Sequence, residues 1–214
     1  MYGKKHHVTG VSPLVDRDHQ MSDIAAEAAP AIVVAPCARA GTELLPDGTI
    51  IRIEPLRRGD RSAVTALFAR LGPESRLRRF LSPKPRLSDR EVAFLTDVGL
   101  AERAAMTAVD ARDGSVLGIA RYVEHHGRPG VADTAVAVAD EVQRRGIGTA
   151  LMQRLIACAR ANGFHLLTAT TLWENRGARA LMRTTGFEAR GSSGAEIELE
   201  LALTPMVRRR PARS

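Results

Sequence analysis

Residues 136–151, VAVADEVQRRGIGTAL, change hydrophobic period halfway along, and the rest of the chain is organised around that change. Val136 and Val138 alternate with small residues, which is the period of a pleated strand. Ile147, Ala150, Leu151, Leu155 and Cys158 then recur at helical spacing until Asn162-Gly163 stops them. The junction is therefore strand, tight turn, helix. At the turn, Gly146 and Gly148 carry no side chain to obstruct a ligand, and the first N–H groups of the helix have no intrahelical acceptor. Such a turn suits an anion.

The elements around it follow from the same periodicities. Residues 49–54 (TIIRIE) alternate as a first strand, and Val64, Leu67, Phe68 and Leu71 share one face of a helix over about 60–71 that Gly72-Pro73 ends. A second helix over 74–81 carries Arg76, Arg78 and Arg79, and Ser88 with Glu91 forms a capping box for a third that runs to about 96. Strands are expected near 104–110, 116–124 and 131–139, joined by short turns. Beyond the long helix come a strand over 165–172, a helix over 176–184 and a strand pair ending near 203.

A chain of 214 residues can bury one substantial core. Residues 1–48 alternate Ala, Pro, Gly and charge without a sustained period, so they read as a disordered tail, with 49–204 as the domain and 205–214 as a basic tail. The net charge of +7 does not point to nucleic acid. Its excess is dispersed apart from the terminal Arg208, Arg209, Arg210 and Arg213, and there is little aromatic surface on which bases would stack. No apolar run reaches the ~20 residues of a membrane span and no leader peptide opens the chain, so a cytoplasmic location is expected. Cys37 and Cys158 are then expected as reduced thiols. His6, His7 and His19 lack cysteine or carboxylate partners at ligand spacing, and no metal is expected.

Two familiar phosphate loops do not fit the turn. A Walker A loop ends in Gly-Lys-Ser/Thr, and a dinucleotide fingerprint needs a third glycine where Leu151 stands. Gln143-Arg144-Arg145-Gly146-Ile147-Gly148 resembles instead the pyrophosphate loop of the GNAT superfamily of N-acetyltransferases, Q/R-x-x-G-x-G/A. Residues 71–91, LGPESRLRRFLSPKPRLSDRE, resemble a segment of the bacterial protein lysine acetyltransferases of that superfamily. Asn175, Ala178, Leu181 and Gly186-Phe187 resemble its second CoA-contacting segment, and the element order is similar over about 50–203.

The resemblance implies an α/β (α+β) fold, with a mixed, mostly antiparallel sheet, a splayed central strand pair and flanking helices. It implies acetyl-CoA as co-substrate. The backbone at Val136, Ala137 and Val138 would pair with the pantetheine arm, and the amides of Arg144, Arg145, Gly146, Ile147, Gly148 and Thr149 would cradle the pyrophosphate, with Asn175 and Ala178 also at the cofactor. An amine of pKa near 10.4 is only about one part in two thousand neutral at pH 7, a deficit of about 4.6 kcal/mol, so a base is needed. In the resembled lysine acetyltransferases a glutamate ten residues before the glutamine serves, and here that position is Asp133. Glu124 and Asp140-Glu141 are the alternatives. Met182 stands where many members have a tyrosine acid. The acceptor implied is a lysine exposed on a protein, with a small amine as the alternative. A non-catalytic acyl-CoA sensor is the reading from another class.

Overall fold

A computed structural model describes Cys37 and residues 39–204. The expected readings of His6, His7 and His19, of the short apolar run 31–36 and of the C-terminal arginines lie outside the described residues.

One eight-stranded sheet organises the chain. Its strands are β1 (Gly41–Leu44), β2 (Ile50–Pro55), β3 (Arg103–Asp110), β4 (Val116–Glu124), β5 (Val131–Val138), β6 (Leu166–Leu172), β7 (Glu188–Ser193) and β8 (Glu196–Ala202). They lie in the order β1-β2-β3-β4-β5-β6-β8-β7. Every neighbouring pair is antiparallel except β5 with β6, which is parallel. The splay expected at the centre lies there. Pairing of β5 with β6 is confined to Val131–Asp133 against Leu166–Thr168, whereas β5 stays paired with β4 as far as Val138 opposite Gly118.

Helices cover both faces. On one, α1 (Arg61–Ala69), α2 (Pro73–Phe80) and α3 (Asp89–Thr96) pack a small cluster of Leu56, Val64, Val98 and Ala105. On the other, α4 (Ile147–Ala161) buries Leu151, Met152, Leu155 and Cys158 completely against Ile51, Met106, Ala120 and Tyr122. Burying a side chain of this size stabilises by roughly 1.5–3 kcal/mol, which is why the helical period beginning at Ile147 dominates the core. The starts of the helices are set locally. Asp60 accepts from the Ala63 amide at 3.1 Å, Pro73 opens α2, and Ser88 with Glu91 forms the capping box expected of α3. Asn175 caps α5 (Arg176–Thr184).

Two features depart from expectation. The sheet begins at Gly41, ahead of the boundary placed at 49, because Thr42–Leu44 pair with Arg52–Ile50 across a turn that Gly48 closes at φ 81°. Cys37 and Cys158 are joined in a disulfide rather than held as thiols, their Cα atoms 5.0 Å apart. That separation lies within the range a disulfide spans, and the bond ties the segment before β1 to the buried face of α4.

Candidate active site

The site begins where the sheet forks. Thr134 Oγ1 donates to the Thr168 carbonyl at 2.8 Å, and past this point β5 has a partner on the β4 side alone. Backbone groups alternate direction along a strand. The Ala139 amide bonds the Leu117 carbonyl and the Ala137 carbonyl faces Gly118, so residues 137 and 139 point to β4 while 136 and 138 point into the gap. This refines the expected trio. Val136 and Val138 present backbone to the gap, with the Val138 carbonyl already accepting from Gln143 Nε2 at 3.1 Å, whereas Ala137 contributes its methyl to a cavity on the face of α1 to α3. An extended ligand beside Val136 would continue the sheet as a strand does.

The turn after β5 is held by side chains. Gln143 Nε2 also reaches Asp140 Oδ1 at 2.9 Å, and Asp140 Oδ2 accepts from the Gly72 amide at 2.8 Å, so the loop is fastened to the start of α2. Arg144 and Gly146 both adopt the left-handed region, at φ 62° and 97°. Successive amides around such residues form a concave nest that favours an anion. Gly146 gives α4 no side-chain cap, which leaves the N–H groups of Ile147, Gly148 and Thr149 at the positive end of the helix. Arg144 and Arg145 are exposed beside them, Arg145 lying 3.9 Å from Asp47. The Ile147 side chain is in the core. A Cβ on Gly148 would meet Leu181 Cδ2 at 3.1 Å, so this glycine also lets α4 approach α5. The nest, the uncapped helix end and the one-sided strand fit the pyrophosphate and amide-bearing arm of a CoA thioester.

Asn175 and Ala178 bond each other, the Ala178 amide donating to Asn175 Oδ1 at 3.1 Å. Only the Asn175 Nδ2 group is left to serve a ligand.

Asp133 sits at the apex of the fork. Burial pushes its carboxyl above the ordinary 3.8, against the opposing pull of His125, of Arg79 and of a hydrogen bond from Thr168. Thr168 Oγ1 lies 3.3 Å from Asp133 Oδ1 and 3.2 Å from His125 Nε2, which makes a chain of three polar groups leading away from the apex. The alternative carboxylates are engaged elsewhere. Glu124 accepts from the Gly130 amide at 2.7 Å, Glu141 pairs with Arg70 at 2.5 Å, and Asp140 holds the loop. Met182 is buried in the main core. Tyr122 is no substitute acid, because it is buried on the α4 side, where burial pushes its hydroxyl up to about 12.

On the sheet face that Asp133 shares with Arg121 lies a cavity, walled by Leu67, Phe68 and Leu71 of α1 and its end, Ile119 and Arg121 of β4, and Arg79 of α2. Arg121, Thr168 and His125 were not singled out by the sequence reading. The signal for Arg121 was present, as a charged residue in step with Ile119 on a strand whose neighbours are apolar.

A forked sheet with an anion nest at the end of its central strand defines an acyl-CoA-dependent transferase scaffold. The chain belongs to the Acetyltransferase (GNAT) family, whose family model matches residues 73–187. It is similar to "Acetyltransferase PA5475" of Pseudomonas aeruginosa, 34% identical over 68% of this chain and 78% of that protein. It is also similar to an "L-methionine sulfoximine/L-methionine sulfone acetyltransferase" of the same organism, 34% identical over 45% of this chain and 64% of the relative. Among solved structures, the GNAT domain of Streptomyces lividans PAT superposes with a TM-score of 0.71 at 25% identity, over 77% of this chain and 97% of that one. Acetyl-CoA is the family's acyl donor, and transfer of an acyl group is the family's chemistry.

Proposed function

We propose that the protein transfers the acetyl group of acetyl-CoA to a primary amine by direct attack, with Asp133 as the base. The observation that carries this reading is Asp133, buried at the apex where β5 and β6 part. The thioester supplies an electrophilic carbonyl. Asp133 takes the proton of the incoming ammonium, and a carboxyl raised by burial is a better acceptor than an exposed aspartate. The amine nitrogen forms the new bond to the carbonyl carbon, and the Val138 amide meets the oxygen that gains charge. The nitrogen, positively charged after the attack, loses its second proton to solvent, and the carbon–sulfur bond breaks. A thiol of pKa near 8.5 leaves as a thiolate and takes its proton from water, so the buried Met182 is no obstacle. Val136, Val138 and the amides of Arg144 to Thr149 hold the donor, Ala137 faces the acceptor, and the Nδ2 of Asn175 is the one contact α5 offers.

Two acceptors fit the family. A protein lysine is supported by the resemblance of residues 71–91, which form α2 and the approach to α3, and by the similarity to the PAT domain. A small amine is favoured by the cavity, whose walls close around the acceptor side of Ala137, and accords with the relative named for methionine derivatives. We take the small amine as the leading acceptor. The location proposed is the cytoplasm, and among the described residues no helix is long and apolar enough to cross a membrane.

The test supplies acetyl-CoA with a panel of small amines and lysine peptides and follows released CoA. Release with at least one amine is expected. Binding of acetyl-CoA without release to any acceptor would give the site to the sensor reading, and absence of binding by calorimetry would overturn the donor site itself.

A further inference from the structure

Arg121 is 3% exposed, and its Nε, Nη1 and Nη2 are all buried without a hydrogen-bond partner among the described residues. A guanidinium has five N–H donors in one plane, and leaving them unmet in a low-dielectric interior is costly. Its guanidinium carbon lies 4.7 Å from the centroid of the Phe94 ring. Stacking of that kind engages the flat face of the group and leaves the in-plane donors unspent. Arg121 lines the acceptor cavity together with Arg79.

The local field is short of negative charge. Burial lowers Arg121 to about 9, and the repulsion from Arg79 and from Arg103 each outweighs the attraction of Asp133 or Asp97. Arg79 is itself lowered to about 10 by burial, with Asp133 as its named counter-charge. Asp133 thus faces both buried cations, and Asp97 is already paired with Arg58 and Arg103.

We propose that Arg121, backed by Arg79, binds a carboxylate of the acceptor, and that the acceptor is an amino acid rather than a lysine side chain within a protein. The planar fork of an arginine matches a carboxylate by two parallel hydrogen bonds, which would satisfy the unspent donors. The cavity it lines measures about 40 Å³. That is room for a few water molecules, and so for a group of the size of a carboxylate. Register supplies the distance. Arg121 lies opposite Ala135 and Val123 opposite Asp133, so Arg121 and Asp133 are diagonal neighbours on one face of the sheet, with Cα atoms roughly 7–8 Å apart. An amine at Asp133 and a carboxylate at Arg121 then belong to one small molecule, as in an α- or β-amino acid. A protein lysine has no carboxylate near its amine and leaves Arg121 unpaired.

This inference rests on the transferase reading for its amine but not for its carboxylate, and the experiment separates them. The full chain is given acetyl-CoA and matched acceptors: L-methionine and L-leucine, the amines that remain when their carboxylates are removed, and a lysine peptide. The wild type is expected to favour each amino acid over its decarboxylated amine by about 100-fold or more in kcat/KM. In Arg121→Met that ratio should collapse to within a few-fold, chiefly through KM. Binding is read independently, as protection against thermal unfolding by the amino acid alone, present in the wild type and lost in Arg121→Met. Circular dichroism checks that the variant is folded, and Arg121→Lys, which keeps charge without the fork, should recover only part of the preference. Equal use of amino acid and decarboxylated amine, faster turnover of the lysine peptide than of either, or a preference that survives Arg121→Met would each overturn the proposal while leaving the transferase reading intact. If acetyl-CoA does not bind, that reading fails, and protection by the amino acid still decides the role of Arg121.

Discussion

Asp133 and Arg121 share one face of the sheet and differ in how visible they were. Asp133 was reached by counting ten residues back from Gln143, along one strand and the turn that follows it. Arg121 left only a faint signal, an arginine in step with Ile119 within VLGIARYVE, and its burial depends on residues of other elements such as Phe94. Replacing each should change a different measurement. Asp133→Asn is expected to lower the transfer rate by about 100-fold while acetyl-CoA affinity, measured by calorimetry, stays within a few-fold. The same variant carries a stability signature with a definite sign. Because the folded carboxyl titrates above the ordinary 3.8, the folded state holds its proton more tightly than the unfolded chain. The stability this contributes is full below about pH 4 and is lost as pH rises through the folded pKa. Denaturant titrations of Asp133→Asn should lack this decline, making the variant relatively more stable at pH 7 than at pH 4. Arg121→Met removes an unpaired buried cation and is expected to raise the melting temperature, as when activity is carried at the expense of stability. A lower melting temperature would mean that Arg121 has a structural partner after all.

At the scale of elements, the change of period at residues 136–151 was legible and produced the site, because strand, nest and helix each have a local cause. What could not be read was the division of labour within them. Which carbonyls of β5 face the gap depends on the register with β4, and register is a tertiary fact that no window of sequence contains. The strand β1 was also missed, since GTEL is short and mostly exposed, with no alternation to betray it. The two nest residues can be tested separately. Arg144 stands at φ 62°, which costs a non-glycine residue on the order of 1 kcal/mol, so Arg144→Gly should relieve strain while removing one exposed charge. Calorimetry of acetyl-CoA should show a loss of no more than a few-fold if the amides bind the pyrophosphate, and a loss of tenfold or more if the guanidinium does. Gly148→Ala brings a Cβ against the flexible end of Leu181 and should fold normally, whereas Gly148→Glu places bulk and negative charge at the positive end of α4 and should weaken acetyl-CoA binding at least tenfold. Equal affinity in Gly148→Glu and the wild type would remove the pyrophosphate from this turn.

Across the whole molecule, the fold was readable from the order of its elements, yet the way its beginning is tied down was not. Cys37 precedes the first strand and Cys158 lies on the buried face of α4, 121 residues later, and no sequence pattern pairs two cysteines so far apart. Their neighbourhood belongs to the core. Tyr122 Oη and Asn162 Nδ2 lie beside Cys158 Sγ, and Asn162 Nδ2 is 2.7 Å from the same hydroxyl. Arg154 adds a second tie, donating to the Arg39 carbonyl at 2.8 Å. A bond closing a loop of this length limits the unfolded chain by about 3–5 kcal/mol. In a domain of this size that corresponds to a melting temperature higher by roughly 6–20 °C, at about 2–4 °C per kcal/mol. Cys37→Ser should therefore melt within that interval below the oxidised wild type. A thiol reductant should lower the wild type by a similar amount and leave Cys37→Ser unchanged, which separates loss of the bond from loss of packing at residue 37. A chain beginning at Asp47 loses β1 as well and should melt lower still. If reductant leaves the wild-type melting curve where it was, with the thiols shown free by titration, the two cysteines stabilise the fold through packing alone. If the curve shifts as expected, a protein kept in a reducing cytoplasm would work from the less stable, unlinked form.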